Sequence, residues 1–473
     1  MKRFGMMVLM ASALAACGGS RPVVRPAPQP VDSALAAATF DSAWTLIHRS
    51  HFDPTFNGVD WVALRGELRP RAVAAHNVGE LRGVIVEMLG RLRQSHFYVI
   101  PGEVDEAITV DAAEVEDEEE GDDAAAVDSL AVEADEEEDR PGDLGLDVRL
   151  VDGRFVVTRV ERGGAAEAAG VRPGWVIDAV GKASSTRILE AIRAVTESAD
   201  PRTAHFYAVS GLRGALVGPV GTTVTMRFLD AADRRVTLRL ARRPVPGELS
   251  KFGNLPEVPT VLEWERLTGE DGTVVGVIRF NIWLPALSRR FDEALDRLRD
   301  ADGIVIDLRG NPGGAGGMAM GVGGHFTPAR DTLGTMITRQ QRLYFITNPR
   351  RVDTQSRPVE PYAGPVAILT DALSVSTSEI FAGGMQKIGR ARVFGETTQG
   401  AALPALMQKL PNGDVLVHAF ANFTGPNGEA WEGAGVVPDE PAPPTREALL
   451  AGRDPALDAA RRWIAGQKRR GNP

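Results

Sequence analysis

The sequence predicts an α/β protein: a layered α/β core, a β-rich unit inserted ahead of it, and a helical region before both. Three observations carry this. From about Thr273, short apolar runs (VVGVIRF, GIVIDL, PVAIL, ARVFGE) alternate with Gly-rich turns and helix-period stretches such as Ala286 to Arg299, the order of an α/β layer architecture. Residues 144 to 240 read instead as period-two strands with tight turns. Residues 33 to 100 place Phe40, Trp44, Ile47 and Phe52 near helical spacing and add an amphipathic run from Leu81 to Leu92. The division that follows is 1–16, 17–32, 33–101, 102–140, 141–246, 247–445 and 446–473.

The first 16 residues have a basic start (Lys2, Arg3), an apolar run from Met6 to Leu14 and small residues before Cys17. That is a secretory signal; the run is too short for a membrane span. Cys17 is the one cysteine of the chain, so no disulfide can form within it. Residues 17 to 32 are Pro-rich and polar, a tether. Residues 103 to 139 hold 19 Asp and Glu and no Lys or Arg. Such a tract cannot bury enough apolar surface to order itself. The formal net charge of −10 is therefore local, and the rest is mildly basic. Overall charge argues neither for nor against a nucleic-acid partner.

In the β-rich unit, Asp152-Gly153 is a hairpin turn. A short Ala-rich helix, Ala165 to Ala169, closes at Gly170, a natural place for a left-handed glycine. Residues 196 to 218 read as an insertion, and strands at Thr222 to Leu229 and Arg235 to Leu240 complete the unit. In the core, a hairpin turns at Asn412-Gly413, and residues 455 to 467 form a terminal helix.

The chemistry centres on Pro365 to Gln386, PVAILTDALSVSTSEIFAGGMQ. A buried strand leads through a turn into a helix starting near Thr377, and Ser376 stands at the junction. Free N–H groups and the positive helix end there suit developing negative charge. Ser376 with Glu379 is equally a capping box, which needs no chemistry. Upstream, Asp307-Leu308-Arg309-Gly310-Asn311-Pro312-Gly313-Gly314 is a glycine turn between strand and helix. It lacks the GKS/T of a phosphate loop and the acidic partner of a dinucleotide site, but it can aim an amide at an oxyanion. Ser95-His96 follows the helical region. By itself the pair reads as readily as a cap and a surface histidine.

DLRGNPGG, then S-x-S-E-I-F-A-G, then G-E-T-T-x-G, then E-G-x-G-V-x-P-D is similar to the C-terminal processing (tail-specific) serine peptidases. That resemblance spans roughly residues 144 to 440. It implies a ClpP/crotonase-like core with an inserted PDZ domain, whose signature AAEAAGVRPGWVIDAV resembles, with Trp175 at a usual Asp. It also implies Ser376 as nucleophile, with the amide of Thr377 and one from Gly313 or Gly314 as oxyanion hole. The loop Leu144-Gly145-Leu146 would cap a peptide carboxylate, the peptide lying as an added strand. Leu14-Ala15-Ala16-Cys17 resembles a bacterial lipobox, implying a lipid at Cys17; with Gly18 next, the implied address is the outer membrane, facing the periplasm.

One departure decides between branches of that family. Many members carry a catalytic Lys 25 residues after the nucleophile, where this chain has Ala401. Either catalysis is lost, or another base serves. The branch resembling the tricorn protease core uses Ser-His ahead of the PDZ domain and a Glu after the nucleophile. Ser95, His96 and Glu432 occupy those places. Histidine suits neutral pH as a base, and a carboxylate would fix its tautomer. His325, His418, Lys387 and Lys409 sit in no matching motif. The expectation is a lipid-anchored serine endopeptidase acting on protein or peptide substrates, without metal, cofactor or nucleic acid. A catalytically inactive peptide-binding scaffold and an apolar-ligand carrier are the alternatives.

Overall fold

A computed structural model of the chain describes residues 29–102, 141–195, 201–251, 253 and 257–471. The readings for the signal, Cys17, most of the tether and the acidic tract lie outside these residues.

Three helices open the described chain: α1 (Ser33–Ser50), α2 (Trp61–Val73) and α3 (Val78–Gly90). Asp32, Asp60 and Asn77 each accept a backbone N–H from the first turn that follows, the usual way of satisfying an orphan donor. Phe40, Ile47, Trp61, Leu68, Ile85 and Met88 are buried in one cluster, which also takes in Leu410 and Leu416 of the core hairpin. The short strand Tyr98–Ile100 then pairs antiparallel with Val415–Ala419 of that hairpin, Tyr98 opposite Val417. Buried Asp414 accepts Arg82 at 2.6 Å and Gly102 N–H at 2.9 Å. These contacts clamp the stretch Ser95–His96 against the core.

The inserted unit is an antiparallel sheet in the order Leu146–Val151, Arg154–Val160, Val176–Val180, Thr223–Leu229, Arg235–Ala241. Asp152-Gly153 turns the first hairpin with both φ angles positive. Helix α4 (Ala165–Ala168) is followed by Gly170 at φ +80°. The stretch read as an insertion contains a long helix. Helix α5 (Ser185–Val195) precedes it, and α6 (Pro201–Leu216) packs on α5 and on the edge strand Leu146–Val151. Ala208, Leu212 and Leu216 of α6 are buried with Val148, Ile188 and Ile192. Gly211, Gly214 and Ser210 weaken intrinsic helix propensity there, so packing rather than propensity makes this helix.

The core sheet runs Leu262–Thr268, Val274–Phe280, Gly303–Asp307, Val366–Thr370, Arg392–Gly395, Glu440–Pro441. Its first pair is antiparallel and the rest are parallel. Both faces are covered, which explains the continuous apolar runs. Ile304, Ile306, Val366 and Ile368 face α7 (Ser288–Leu298), α8 (Gly316–Gly324) and α9 (Thr377–Lys387). Val305, Ala367 and Leu369 face Ala456, Ala460 and Ile464 of α11 (Pro455–Gly471), which α10 (Arg446–Leu450) precedes. The helix expected from Ala286 begins at Ser288, after a 3₁₀ turn Pro285–Leu287. A second small sheet, Arg342–Ile346, Thr332–Ile337 and Asn422–Thr424, was not foreseen in the sequence.

Candidate active site

Ser376 is placed by a turn under strain. Its backbone sits at φ 58°, ψ −116°, a region that non-glycine residues rarely adopt and that concentrates at functional sites. The Glu379 N–H goes to the Ser376 carbonyl at 2.8 Å, while the Glu379 carboxylate accepts the Ser376 N–H at 2.9 Å. The Ser376 hydroxyl stands at the capping-box position toward the Glu379 N–H, and among the described residues no hydrogen bond takes up its own proton. Every residue from 366 to 385 is buried except Ser376. A single reachable hydroxyl in a wholly buried strand–turn–helix is what a nucleophile requires.

The glycine turn lies directly against it. A Cβ on Gly313 (φ +93°) would stand 2.7 Å from the Ser376 Cβ and 2.7 Å from the Val375 carbonyl oxygen. Gly313 N–H donates to Asn311 Oδ1 at 2.9 Å, and the Gly313 carbonyl accepts Trp283 N–H. Gly314 N–H and the first-turn amide of Thr377 have no partner among the described residues, whereas the Thr377 hydroxyl donates to the Gly314 carbonyl at 2.8 Å. Of the two glycines the sequence offers, Gly314 has the available amide. Ser378 fastens turn to helix: its hydroxyl donates to the Asn311 carbonyl at 3.1 Å and accepts Trp283 Nε1–H at 2.9 Å. Gly313→Ala is expected to cost about 1–3 kcal/mol in backbone strain alone and to displace Ser376; urea unfolding and serine labelling of the same variant check both effects.

The far-upstream pair is wired to Glu432. Ser95 N–H and Oγ–H both donate to the Glu432 carboxylate, each at 2.8 Å, and Ser95 Oγ lies 2.9 Å from His96 Nδ1. The hydroxyl proton of Ser95 is committed to Glu432, so toward His96 its oxygen can only accept. His96 therefore carries its proton on Nδ1 and leaves the Nε2 lone pair free. Glu432 is thus linked to His96 through the Ser95 hydroxyl. Burial of the ring pushes the His96 pKa down to about 4, so the imidazole is neutral at pH 7 and its unprotonated nitrogen can accept a proton. Burial raises Glu432, against donors from Ser95 and Ala402. His96, like Ser376, has positive φ (59°).

No hydrogen bond joins His96 to Ser376 among the described residues, and catalytic contacts are often open before substrate binds. Two adjacent amino acids bridge them instead. Ser376 N–H donates to the Ala401 carbonyl at 3.0 Å, and Ala402 N–H donates to Glu432 at 3.1 Å. Ala401 thus supplies backbone where a lysine would supply an amine.

Sequence reasoning treated Glu379 as a cap and missed its larger role. It is fully buried and accepts Thr398 Oγ1 at 2.6 Å, Gly400 N–H at 2.7 Å and Ala401 N–H at 2.9 Å, besides Ser376 N–H. Burial pushes its pKa up to about 7 despite these donors. A charged residue inside an otherwise apolar helix stripe was the available signal. His325 pairs with Asp292 at 2.7 Å and His418 contacts Ser50 at 3.0 Å, both apart from this network.

The loop expected to hold a peptide carboxylate presents acids. Leu144 is 1% exposed, Gly145 N–H donates to Asp143 at 2.9 Å, and the Glu161 side chain packs against Gly145. Leu146 begins the edge strand, opposite Val160. Burial, with Asp143 beside it, raises the Glu161 pKa to about 6.

Residues 274–442 match the sequence profile of peptidase family S41, and residues 35–90 match the tricorn protease C1 domain. The core is a peptidase family S41 domain. A carboxyl-terminal-processing protease of Synechocystis sp. is 25% identical over 84% of this chain and 79% of its own length. A putative tricorn protease homolog of Streptomyces coelicolor is 24% identical over 89% of this chain and 31% of its own. A carboxyl-terminal-processing protease of Picosynechococcus sp. is 28% identical over 38% of this chain and 42% of its own length. For several of the curated relatives it matches, the chain spans about half their length. Among solved structures, the photosystem II D1 C-terminal processing protease superposes with a TM-score of 0.53 (19% identity, 90% and 96% of the two chains). Mature CPAF gives 0.56 (13% identity, 91% and 96%). Both likenesses concern the fold around the S41 domain.

Proposed function

We propose that the chain is a serine endopeptidase in which Ser376 is the nucleophile, His96 the base and Glu432 the carboxylate, with Ser95 relaying between the last two. One observation carries this: a lone reachable serine, on a strained helix start, shares a hydrogen-bond network with a histidine whose tautomer is already set. Ser376 Oγ attacks the peptide carbonyl as its proton passes to His96 Nε2. The tetrahedral oxyanion takes hydrogen bonds from Gly314 and Thr377 N–H. His96 then protonates the leaving amine, and water cleaves the acyl-enzyme by the reverse roles. In this reading the core is ClpP/crotonase-like and the inserted sheet is a PDZ-like unit that recognises protein tails. A tail carboxylate bound at Leu144-Gly145-Leu146 must displace Asp143 from Gly145 N–H. Cys17, lipidated, would anchor the protein in the cell envelope.

The test is covalent labelling of the purified protein by a fluorophosphonate. Wild type is expected to label and Ser376→Ala is not. Failure of the folded wild type to label, together with no hydrolysis of a denatured protein substrate, would sink the peptidase reading in favour of a binding scaffold.

A further inference from the structure

We propose that Arg202, on helix α6 of the inserted unit, is a positioning residue for the catalytic set: its guanidinium straps the loop 396–401 to the loop 431–436. The role rests on the serine-peptidase reading above and adds a part that no motif supplies.

The geometry is a three-carbonyl grip. Arg202 Nη1 donates to the Thr398 carbonyl at 3.0 Å and the Ala434 carbonyl at 2.5 Å, and Nη2 donates to the Gly433 carbonyl at 2.7 Å. Beside it, Gln399 Nε2 donates to Thr203 Oγ1 at 3.1 Å. Two of the gripped carbonyls lie next to a group that sets the site. Thr398 gives its hydroxyl to Glu379, which holds Ser376 N–H. Gly433 follows Glu432, which holds Ser95. The loops also meet directly, Gly433 N–H on the Gly400 carbonyl at 2.8 Å and Val436 N–H on Thr398 Oγ1 at 2.7 Å. The guanidinium therefore fixes the spacing between the Ser376 half and the His96 half of the site.

Two details argue that this grip is more than incidental. Arg202 occupies the second residue of its helix, at the end whose dipole disfavours a cation; the three carbonyls offset that placement. Gly435 (φ +72°) leaves the space it needs, since a Cβ there would stand 2.6 Å from Arg202 Nη1. Helix α6 itself is firmly seated: Arg213 donates to Asp147 at 2.8 Å, and Ala208 and Leu212 are buried in the inserted unit. A planar fork with several donors can serve three carbonyls at once, which an ammonium cannot.

The experiment compares second-order fluorophosphonate labelling of the full chain for wild type, Arg202→Ala and Arg202→Lys, with the folded fraction measured on each sample. Arg202→Ala is expected to label about 10- to 100-fold more slowly per folded molecule, the scale of a small misplacement of reacting groups. Arg202→Lys is expected to fall between. Millimolar guanidinium chloride is expected to restore rate to Arg202→Ala and to leave wild type unchanged, which a general loss of folding would not show. Labelling of Arg202→Ala at the wild-type rate, or a loss that tracks the folded fraction and resists guanidinium, would overturn the positioning role alone. Absence of labelling in folded wild type would overturn the peptidase reading and this role with it.

Discussion

Replacing His96 with alanine is expected to slow fluorophosphonate labelling of Ser376 by about 10²- to 10⁴-fold, the usual worth of a general base, with the folded state intact. The sign of the pH dependence follows from its environment. Burial holds the folded-state pKa near 4, below the ~6.5 of a free imidazole. Labelling by wild type should then stay level from pH 8 down to about 5 and fall as the pH nears that value. The same shift favours unfolding in acid. The stability that comes from keeping His96 neutral is complete above ~6.5 and is lost as the pH falls toward the folded value. A labelling limb near pH 7 instead would put Glu379 in control, since its carboxyl titrates there. Measuring Glu379→Gln beside His96→Ala separates the two: only the former should remove such a limb.

Arg149→Ala should be the most destabilising of the changes considered. Arg149, on the edge strand of the inserted unit, is 4% exposed, and its Nε donates to Asp371 Oδ2 at 2.6 Å. The other oxygen of Asp371 accepts Gly310 N–H and Leu373 N–H, both at 2.9 Å. Burial opposes the Asp371 charge, but Arg149 and those amides hold its pKa below the usual carboxylate range. Removing the arginine strands a buried carboxylate, a change that costs about 3–5 kcal/mol. It also loosens the turns on either side of Ser376, so labelling should fall with stability. Asp371→Asn in the Arg149→Met background should recover much of the loss, because the amide oxygen still accepts. A urea-unfolding cost below about 1 kcal/mol for Arg149→Ala, the range of exposed pairs, would mean that the pair is not held dry between the units.

The strand, the glycine turn and the helix around Ser376 were legible because each is local: an apolar run, a Gly cluster and a helical stripe within a few dozen residues. Ser95, His96 and Glu432 could be chosen by their order along the chain, but not their wiring. That Glu432 acts through the Ser95 hydroxyl depends on which atom points where. Arg149, Asp371 and Arg202 carried no local signal at all. Arginine and aspartate are ordinary surface residues until partners from tens or hundreds of positions away close over them. Helix α6 was missed for a related reason: its glycines argue against a helix, and only burial of Ala208, Leu212 and Leu216 against a neighbouring sheet decides otherwise.

The network around Ser376 draws one member or more from each part of the chain: His96 from behind the helical region, Arg149 and Arg202 from the inserted unit, Ser376 and Glu432 from the core. Helix α11, later in the chain than all of them, backs the strands that carry the site. On the serine-peptidase reading, a copy in which any of these parts is missing has no complete catalytic set. On that reading, Ser376 in a chain whose helical region or inserted unit has not yet docked stands without its base and without its straps, so assembly of the fold precedes assembly of the chemistry.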